Sequence, residues 1–298
     1  MAGDVDRFEV EVCGEDWELI YVSCPEKIAK SLKRVIKESN DCEDNKYWGV
    51  DIETSGLDPL TDRIETIQIA VPHKKISFCY HVRGNLPVPL LNTLFAHREF
   101  AAHNAMFEAR FFLAQGVKFE GLGCSMVNYR VWSNFAEPYG LNMKSSLAAC
   151  MEQLYNFKTD KTEQTSDWSQ KNLSREQKMY ACIDPILPLL VLRKITSLAR
   201  GLSPSLRKAL WECIHTNKHT MPALAYMMNH GIKVDSAAHW QLVEEWKKEV
   251  IKVEGEMRLI IPPEVNIRSG KQFSEYLEAT YSESELREWP KTETGLYS

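Results

Sequence analysis

The chain lacks several things, and each absence narrows what it can be. No apolar run approaches the roughly 20 residues needed to cross a bilayer, so no membrane partner is expected. The start, Met1-Ala2-Gly3-Asp4-Val5-Asp6, is acidic and has no apolar core, which excludes a secretory signal. None of the eight cysteines forms a Cys-x-x-Cys pair. That excludes a zinc knuckle and favours reduced thiols over a disulfide framework. A cytoplasmic setting, in a bacterial or virus-infected cell, is the expectation. There is no basic coat either: the net charge is -5, so a nucleic-acid partner must be gripped locally or through metal ions. Internal repeats and low-complexity tracts are also missing. What remains is 298 residues, 44% hydrophobic and 26% charged, the balance of a soluble globular protein with one large domain or two ordinary ones.

One stretch organises the rest: Trp48-Gly49-Val50-Asp51-Ile52-Glu53-Thr54-Ser55-Gly56-Leu57-Asp58-Pro59. It reads as a buried strand that ends on two carboxylates. Side chains alternate along a strand, so Asp51 and Glu53 share one face and Val50 and Ile52 the other. Two like charges at the edge of an apolar core ionise together only with a cation between them. Hard divalent ions prefer carboxylate oxygen, so the stretch can be half of a metal site. A strand running out into a polar turn explains this pair equally well.

Around it, Trp17–Val22 is expected as a first strand and residues 25–39 as a helix, with Ile28, Leu32, Val35 and Ile36 at helical spacing. Residues 41–46 form a polar linker. Two strands at 64–71 and 76–80 follow the organising strand and predict a meander. A short helix over 90–95 and a short apolar strand over 100–102 lead into His103-Asn104. Helices are expected over 105–114, 126–133 and 142–151, and a polar loop over 159–168. Ser174 and Gln177 form a capping box that opens a helix carrying Tyr180 and Asp184. Pro185 and Pro188 predict a kink or restart at Asp184. Gly201-Leu202-Ser203-Pro204 is the best domain linker. Beyond it come a helix over 206–229, a short strand Ile232-Lys233-Val234, a cap at Asp235, an amphipathic helix to about Leu259, and a short helix from Ser269 to Leu277.

Acids recur in three settings. Beside Asp51 and Glu53 stand Glu108, in the first turn of a helix, and Asp184, four residues after Tyr180 and therefore on the same helix face. Taken singly, a solvated first-turn acid, a capping aspartate and a packed tyrosine are at least as good. Taken together, the segments Asp51-Ile52-Glu53-Thr54, His103-Asn104-Ala105-Met106-Phe107-Glu108 and Tyr180-Ala181-Cys182-Ile183-Asp184 resemble, in order and spacing, the three motifs of the DEDD superfamily of 3′→5′ exonucleases, Tyr-type branch. Ser166-Asp167-Trp168 through Leu173-Ser174 and Gln177 resemble the lead-in to the third motif. The resemblance spans roughly residues 17–200.

It implies an α/β fold, ribonuclease-H-like, with a mixed central sheet. It also implies two divalent ions, Mg2+ or Mn2+, held by Asp51, Glu53, Glu108 and Asp184, with Asp51 bridging and Tyr180 orienting the attacking water. Leu57 and Asn104 match positions that touch the terminal nucleotides, and Thr54 and His103 belong with them in substrate binding. One position departs: the family has Asp where this chain has Glu108, one methylene longer.

Residues 207–298 resemble the start of the thumb of a family A polymerase, in Met221–Asp235, in Asn266–Phe273 and in Lys291–Ser298. The expectation is a 3′→5′ exonuclease domain over 1–200 and a partial polymerase domain over 207–298, acting on single-stranded or frayed DNA 3′ ends, with a polymerase chain as a further partner. Half a helical hairpin leaves an apolar face open, so residues after about Ile261 are expected to be mobile or covered by a partner. Rival readings are an RNase D-like RNA trimmer and a non-catalytic nucleic-acid-binding or docking module, which Glu108 keeps open. His215 with His219, and Lys247, Lys248 and Lys252 among glutamates, read best as solvated or packed helix faces.

Overall fold

The computed structural model describes residues 4–40, 47–136, 144–159, 162–293 and 295–297. The expected linker over 41–46 and the start of the helix expected from 142 lie outside them. The chain forms two compact units, Met1–Gly231 and Ile232–Ser298.

The first unit is built on a seven-stranded mixed sheet. Strands β1 (Val5–Val12) and β2 (Glu15–Val22) make an antiparallel hairpin at one edge. Its two turn residues, Cys13 and Gly14, have φ of 52° and 81°, the left-handed geometry that follows strand twist in a tight hairpin. The stretch 17–22 is therefore part of the second strand, not the first. In β1, charged residues alternate with Phe8, Val10 and Val12, and only one face is covered. Strands β3 (Trp48–Thr54), β4 (Ile64–Val71) and β5 (Ile76–His81) form the expected antiparallel meander. Parallel pairing joins β5 to β2, β3 to β6 (Phe100–Ala102), and β6 to β7 (Leu122–Cys124). The sheet order is β1-β2-β5-β4-β3-β6-β7.

Two apolar layers cover the sheet. On one side, Val50, Ile52, Ile67 and Ile69 pack with helices α1 (Pro25–Asn40), α2 (Val88–His97) and α3 (Met106–Ala114). On the other, Tyr21, Ala70 and Cys79 pack with α4 (Ser125–Ala136), α5 (Leu147–Tyr155), α6 (Arg175–Ile183) and α7 (Ile186–Leu198). Helix α8 (Pro204–His230) belongs to this first unit. Its Met221 and Ala225 join the core that holds Phe111, and its Leu210 and Ile214 pack with Ala199. Asn229 brackets Arg110: it accepts from the guanidinium Nε at 3.0 Å and donates to the backbone carbonyl at 2.8 Å. The compact unit thus runs past the expected boundary near residue 200, because the apolar face of α8 finds its partners on α3 and α4. On α8 the His215 and His219 rings lie against each other, centroids 4.3 Å apart, and no third ligand joins them among the described residues.

In the second unit, Ile232-Lys233-Val234 forms no strand, contrary to expectation. Ile232 is 91% exposed, and nothing among the described residues pairs with this backbone. The Asp235 side chain caps α9 (Ser236–Arg258), accepting from the Ala238 amide at 3.1 Å. No residue of α9 is buried. After Ile261 the chain closes on itself: Leu277 of α10 (Gly270–Thr280) packs with Leu286 of α11 (Glu283–Leu286) and with Tyr297. This segment has a small core of its own.

A chain ending at Gly231 is expected to unfold cooperatively in urea. One ending at Leu202 loses the buried Leu210, Ile214 and Met221, a deficit on the order of 5 kcal/mol at about 1.5–3 kcal/mol per side chain. Equal urea midpoints for the two chains would contradict the packing assigned to α8.

Candidate active site

Strand β3 delivers two carboxylates to the layer of α6 and α7. Asp51 sits opposite Gln68 and Glu53 opposite Thr66, and the register slips between Glu53 and Thr54. Such an irregularity bends the strand end and re-aims its side chains. The third acid comes from the joint of α6 and α7. Helix α6 opens with the expected capping box: the Gln177 amide donates to Ser174 Oγ at 3.0 Å, and the Ser174 amide donates to Gln177 Oε1 at 2.9 Å. Gln177 Nε2 also donates to Ser166 Oγ and to the Asp167 carbonyl, which fastens the lead-in segment to the helix. At the far end, Pro185 has no N–H, so α6 stops at Ile183 and α7 starts at Ile186. Asp184 and Pro185 keep right-handed helical dihedrals, so the chain restarts without a sharp bend, and the Asp184 amide still donates to the Tyr180 carbonyl at 3.1 Å.

Gly49 permits this approach. A Cβ built there would lie 1.9 Å from the Pro185 carbonyl oxygen and 3.1 Å from the Ala70 Cβ. The helix joint rests on the bare backbone of β3, on the face that Asp51 and Glu53 share, and Asp184 is held against them. Gly49 was not singled out from the sequence, although a glycine inside a strand is a signal of close backbone approach.

Asp51, Glu53 and Asp184 each offer a carboxylate oxygen, and these atoms all lie within 4.8 Å of one another. Glu108, the third residue of α3, is 3% exposed, and its carboxyl group hydrogen-bonds that of Asp51. The extra methylene relative to aspartate therefore ends in direct contact with the central acid. Two unit charges 4.8 Å apart repel by on the order of 3 kcal/mol at an effective dielectric of about 20. Without a cation the cluster must hold protons. Burial and then the charges of Asp184, Glu108 and Glu53 push Asp51 well above the usual carboxylate range. Burial, then Asp184 and Glu108, push Glu53 up to about 9. Burial raises Glu108 to about 8 and Asp184 to about 7, the latter moderated by a hydrogen bond from Tyr180. The Tyr180 phenol is pushed far up, by burial first and then by Asp184. Its ring leans on the buried Trp168, centroids 6.2 Å apart.

The donor set fits a hard divalent cation. All of these groups are carboxylates, with no imidazole or thiol in the cluster. Glu108 Oε2 is buried with no partner among the described residues, an acceptor waiting for a positive charge.

A cleft of about 400 Å³ opens beside the cluster, lined by Asp51, Asn104, Phe107, Glu108, Tyr180, Leu187 and residues 146–148. Asn104 is exposed at its rim, with φ of 61°, a left-handed conformation that asparagine tolerates. Leu57, on the β3–β4 turn, is 81% exposed, an apolar side chain presented to solvent. Thr54 turns its hydroxyl inward, donating to the Gly56 carbonyl at 2.6 Å. His103 also lines the cleft, but the protein uses both of its ring nitrogens: Nδ1 meets Ser125 Oγ at 2.8 Å and Nε2 donates to the Ser145 carbonyl at 3.0 Å. Burial lowers its pKa to about 4, so the ring is neutral and serves to pin the segment before α5. Ser125 and Ser145 were not foreseen, and neither were Thr159 and Gln164 in the cleft wall, because no local pattern marks them.

A mixed sheet with helices on both faces and four carboxylates gathered over β3 suits a phosphodiester-cleaving class of enzyme. The 3′-5′ exonuclease family profile matches residues 25–199. The chain belongs to that 3′-5′ exonuclease family, which implies nuclease activity. No curated protein sequence matches it. Among solved structures, a nuclease in its apo form aligns with a TM-score of 0.54 at 20% identity, over 65% of this chain and 89% of that one. The catalytic core of RRP6 from Trypanosoma brucei aligns with a TM-score of 0.52 at 17% identity, over 68% of this chain and about half, 51%, of its own length. Brucella melitensis NrnC bound to pGG gives 0.51 at 20% identity, over 63% of this chain and 88% of NrnC. At such identities these likenesses establish the ribonuclease-H-like fold.

Two outcomes follow from the site. In the metal-free protein the acids bind protons that the unfolded chain has released above about pH 4–5. Fewer protons on the unfolded state means that stability falls as pH rises. The thermal midpoint in EDTA is therefore expected to drop between about pH 5 and pH 9, through the raised values of Asp184, Glu108 and Glu53. Magnesium should flatten that slope, and Asp51→Asn should lessen it without metal; a midpoint that climbs over this range would refute the account. Separately, Gly49→Ala is expected to cost about 1–3 kcal/mol in urea unfolding through overpacking against Pro185, and to weaken binding of manganese measured by electron paramagnetic resonance. Unchanged metal affinity would mean that Asp184 does not depend on this contact.

Proposed function

We propose that the protein releases nucleoside monophosphates stepwise from the 3′ end of single-stranded or frayed DNA, using two divalent ions, magnesium or manganese. The observation that carries this reading is the clustering of Asp51, Glu53, Glu108 and Asp184, three of which line one cleft. Asp51 is the acid that both Glu108 and the Glu53–Asp184 pair adjoin, and it would be a ligand common to the group. Glu53 and Asp184 would hold one ion with it, and Glu108 would support the other. Ions held there would supply Lewis-acid activation of water and neutralise charge on the scissile phosphate. Tyr180, tied to Asp184, holds its phenol where it orients the attacking water. Phe107, Leu187 and Leu147 give the terminal nucleotide an apolar wall, and Asn104 gives it a polar edge. Leu57 suits a wedge against a base at the 3′ end, which requires an unpaired end. His103 supports this wall through Ser125 and Ser145 and does not contact substrate through its nitrogens.

The preference for DNA rests on the likeness of residues 207–298 to the start of a family A polymerase, and a polymerase chain is the partner it favours. An RNA-trimming enzyme of the RNase D type is the second reading, since the Tyr180–Asp184 pair serves it equally well. Matched 3′-labelled DNA and RNA oligonucleotides, incubated with magnesium, separate the two. DNA is expected to shorten faster, with Asp51→Ala reducing the rate by roughly 1,000-fold or more and leaving the circular dichroism spectrum intact. Faster loss of RNA reverses the substrate assignment, and equal trimming by Asp51→Ala removes the catalytic one.

A further inference from the structure

A second cleft, of about 440 Å³, lies in the first unit away from the carboxylates, between the ends of β2 and β5 and the start of α6. Tyr21, Ser23, Arg83, Lys171, Lys178 and Asp4 contribute to its wall. Lys178 and Tyr180 are two residues apart on α6, roughly 200° around the helix, so this cleft uses the face opposite the catalytic one.

Three cations meet here. Lys178 is 13% exposed and paired with Asp6 at 2.7 Å, and the wall's one acid, Asp4, is paired with Lys27 at 3.1 Å. Arg83 and Lys171 have no carboxylate partner among the described residues. Arg83 Nη2 donates to the Lys171 carbonyl at 2.9 Å, while its Nε is buried and unpartnered. A buried guanidinium N–H without an acceptor is uncommon and calls for one. Arg83 also sits at φ of 50°, in the left-handed region, directly before Gly84 at 76°. A non-glycine residue there is strained, and such strain concentrates at binding sites. Behind the wall, His81 Nδ1 is held by the Tyr21 hydroxyl at 2.6 Å, and its buried Nε2 has no partner among the described residues. Burial first, and then the charges of Arg83 and Lys178, lower the His81 pKa to about 4, so their positive fields converge on this spot.

We propose that this cleft is a second anion site that takes a phosphate group, either a backbone phosphate of a nucleic-acid strand or the phosphate of a free mononucleotide. Arg83 brings the guanidinium N–H groups that its bond to the Lys171 carbonyl leaves over, Lys171 and Lys178 add charge, and the Ser23 hydroxyl supplies a hydrogen bond. In a chain of net charge -5, two cations without carboxylate partners facing one cleft form a local electrostatic handle.

The strand source rests on the nuclease reading, so binding is measured in EDTA, without cleavage. Two probes are used: a short fluorescein-labelled single-stranded DNA followed by anisotropy, and dAMP followed by saturation-transfer NMR. The variants are Arg83→Asn with Lys171→Gln, and Lys171→Gln alone. Asparagine is at home in the left-handed region, so the thermal midpoint should hold; exposed Lys171 gives a second variant that cannot disturb the core. If the strand is the ligand, the double variant weakens DNA binding about tenfold and lowers the salt slope by roughly 2, with Lys171→Gln in between. If the mononucleotide is the ligand, dAMP affinity falls about tenfold and DNA binding does not. Parent-like binding of both probes by the double variant overturns the site. Metal-dependent trimming of a 3′-labelled strand by the same double variant is read separately in magnesium, which keeps failure of this site distinct from failure of the catalytic assignment.

Discussion

Repulsion among acids is the constraint on which the structure turns. Asp51, Glu53, Glu108 and Asp184 are brought close enough that they cannot all ionise without a compensating positive charge. Nothing in folding favours such a cluster. It exists because the two apolar layers around the sheet are fixed by other contacts and leave the carboxylates nowhere else to go. Val50 and Ile52 anchor β3 in one layer, which dictates that Asp51 and Glu53 face the second. Ile186, Leu187 and Leu190 anchor α7 in that second layer, which holds Asp184 above the strand. The hydrophobic core thus holds the acids together, and their raised pKa values measure the stress.

Small local devices make that arrangement reachable. Gly49 lets a helix joint touch strand backbone. Pro185 ends one helix where the acid is needed and permits the next to begin at once. Gln177 closes the cap of α6 and fastens the segment that carries Trp168, against which Tyr180 rests. His103 sits at the end of the short strand β6 and fixes Ser145, so the wall of the cleft before α5 is tied to the sheet. The chemistry proposed for the site depends on these supports as much as on the acids, because metal and water must be placed within a fraction of an ångström.

The meander, the capping box at Ser174, the restart at Asp184 and the helix expected over 105–114 were all legible, because each rests on local rules of alternation, periodicity, capping and proline chemistry. The β1 strand was not, since its charged alternation is readable only once a neighbour covers one face. Ile232–Val234 failed in the opposite way: β-branched residues favour a strand, but a strand needs a partner. The linker at 201–204 carries the right residues for a boundary, yet α8 folds back onto α3 through Met221, Ala225 and Asn229. That contact spans more than a hundred residues and leaves no local mark.

For the site, it was the likeness of three ordered motifs to those of 3′→5′ exonucleases that pointed to these four acids, because an alternating strand, a first-turn acid and a tyrosine four residues before an aspartate each had an equally good structural reading alone. It also determined that Glu108 is one methylene longer than its family counterpart. Only the tertiary structure decided what that methylene does, which is to meet Asp51. Only it decided that His103 is held by protein at both nitrogens, that Gly49 is a contact surface, and that Arg83 and Lys178 share a second cleft. The physical reason is the same in each case. Residue type and spacing fix the local backbone and the face a side chain takes, whereas its distance to a group far along the chain is set by how the layers pack.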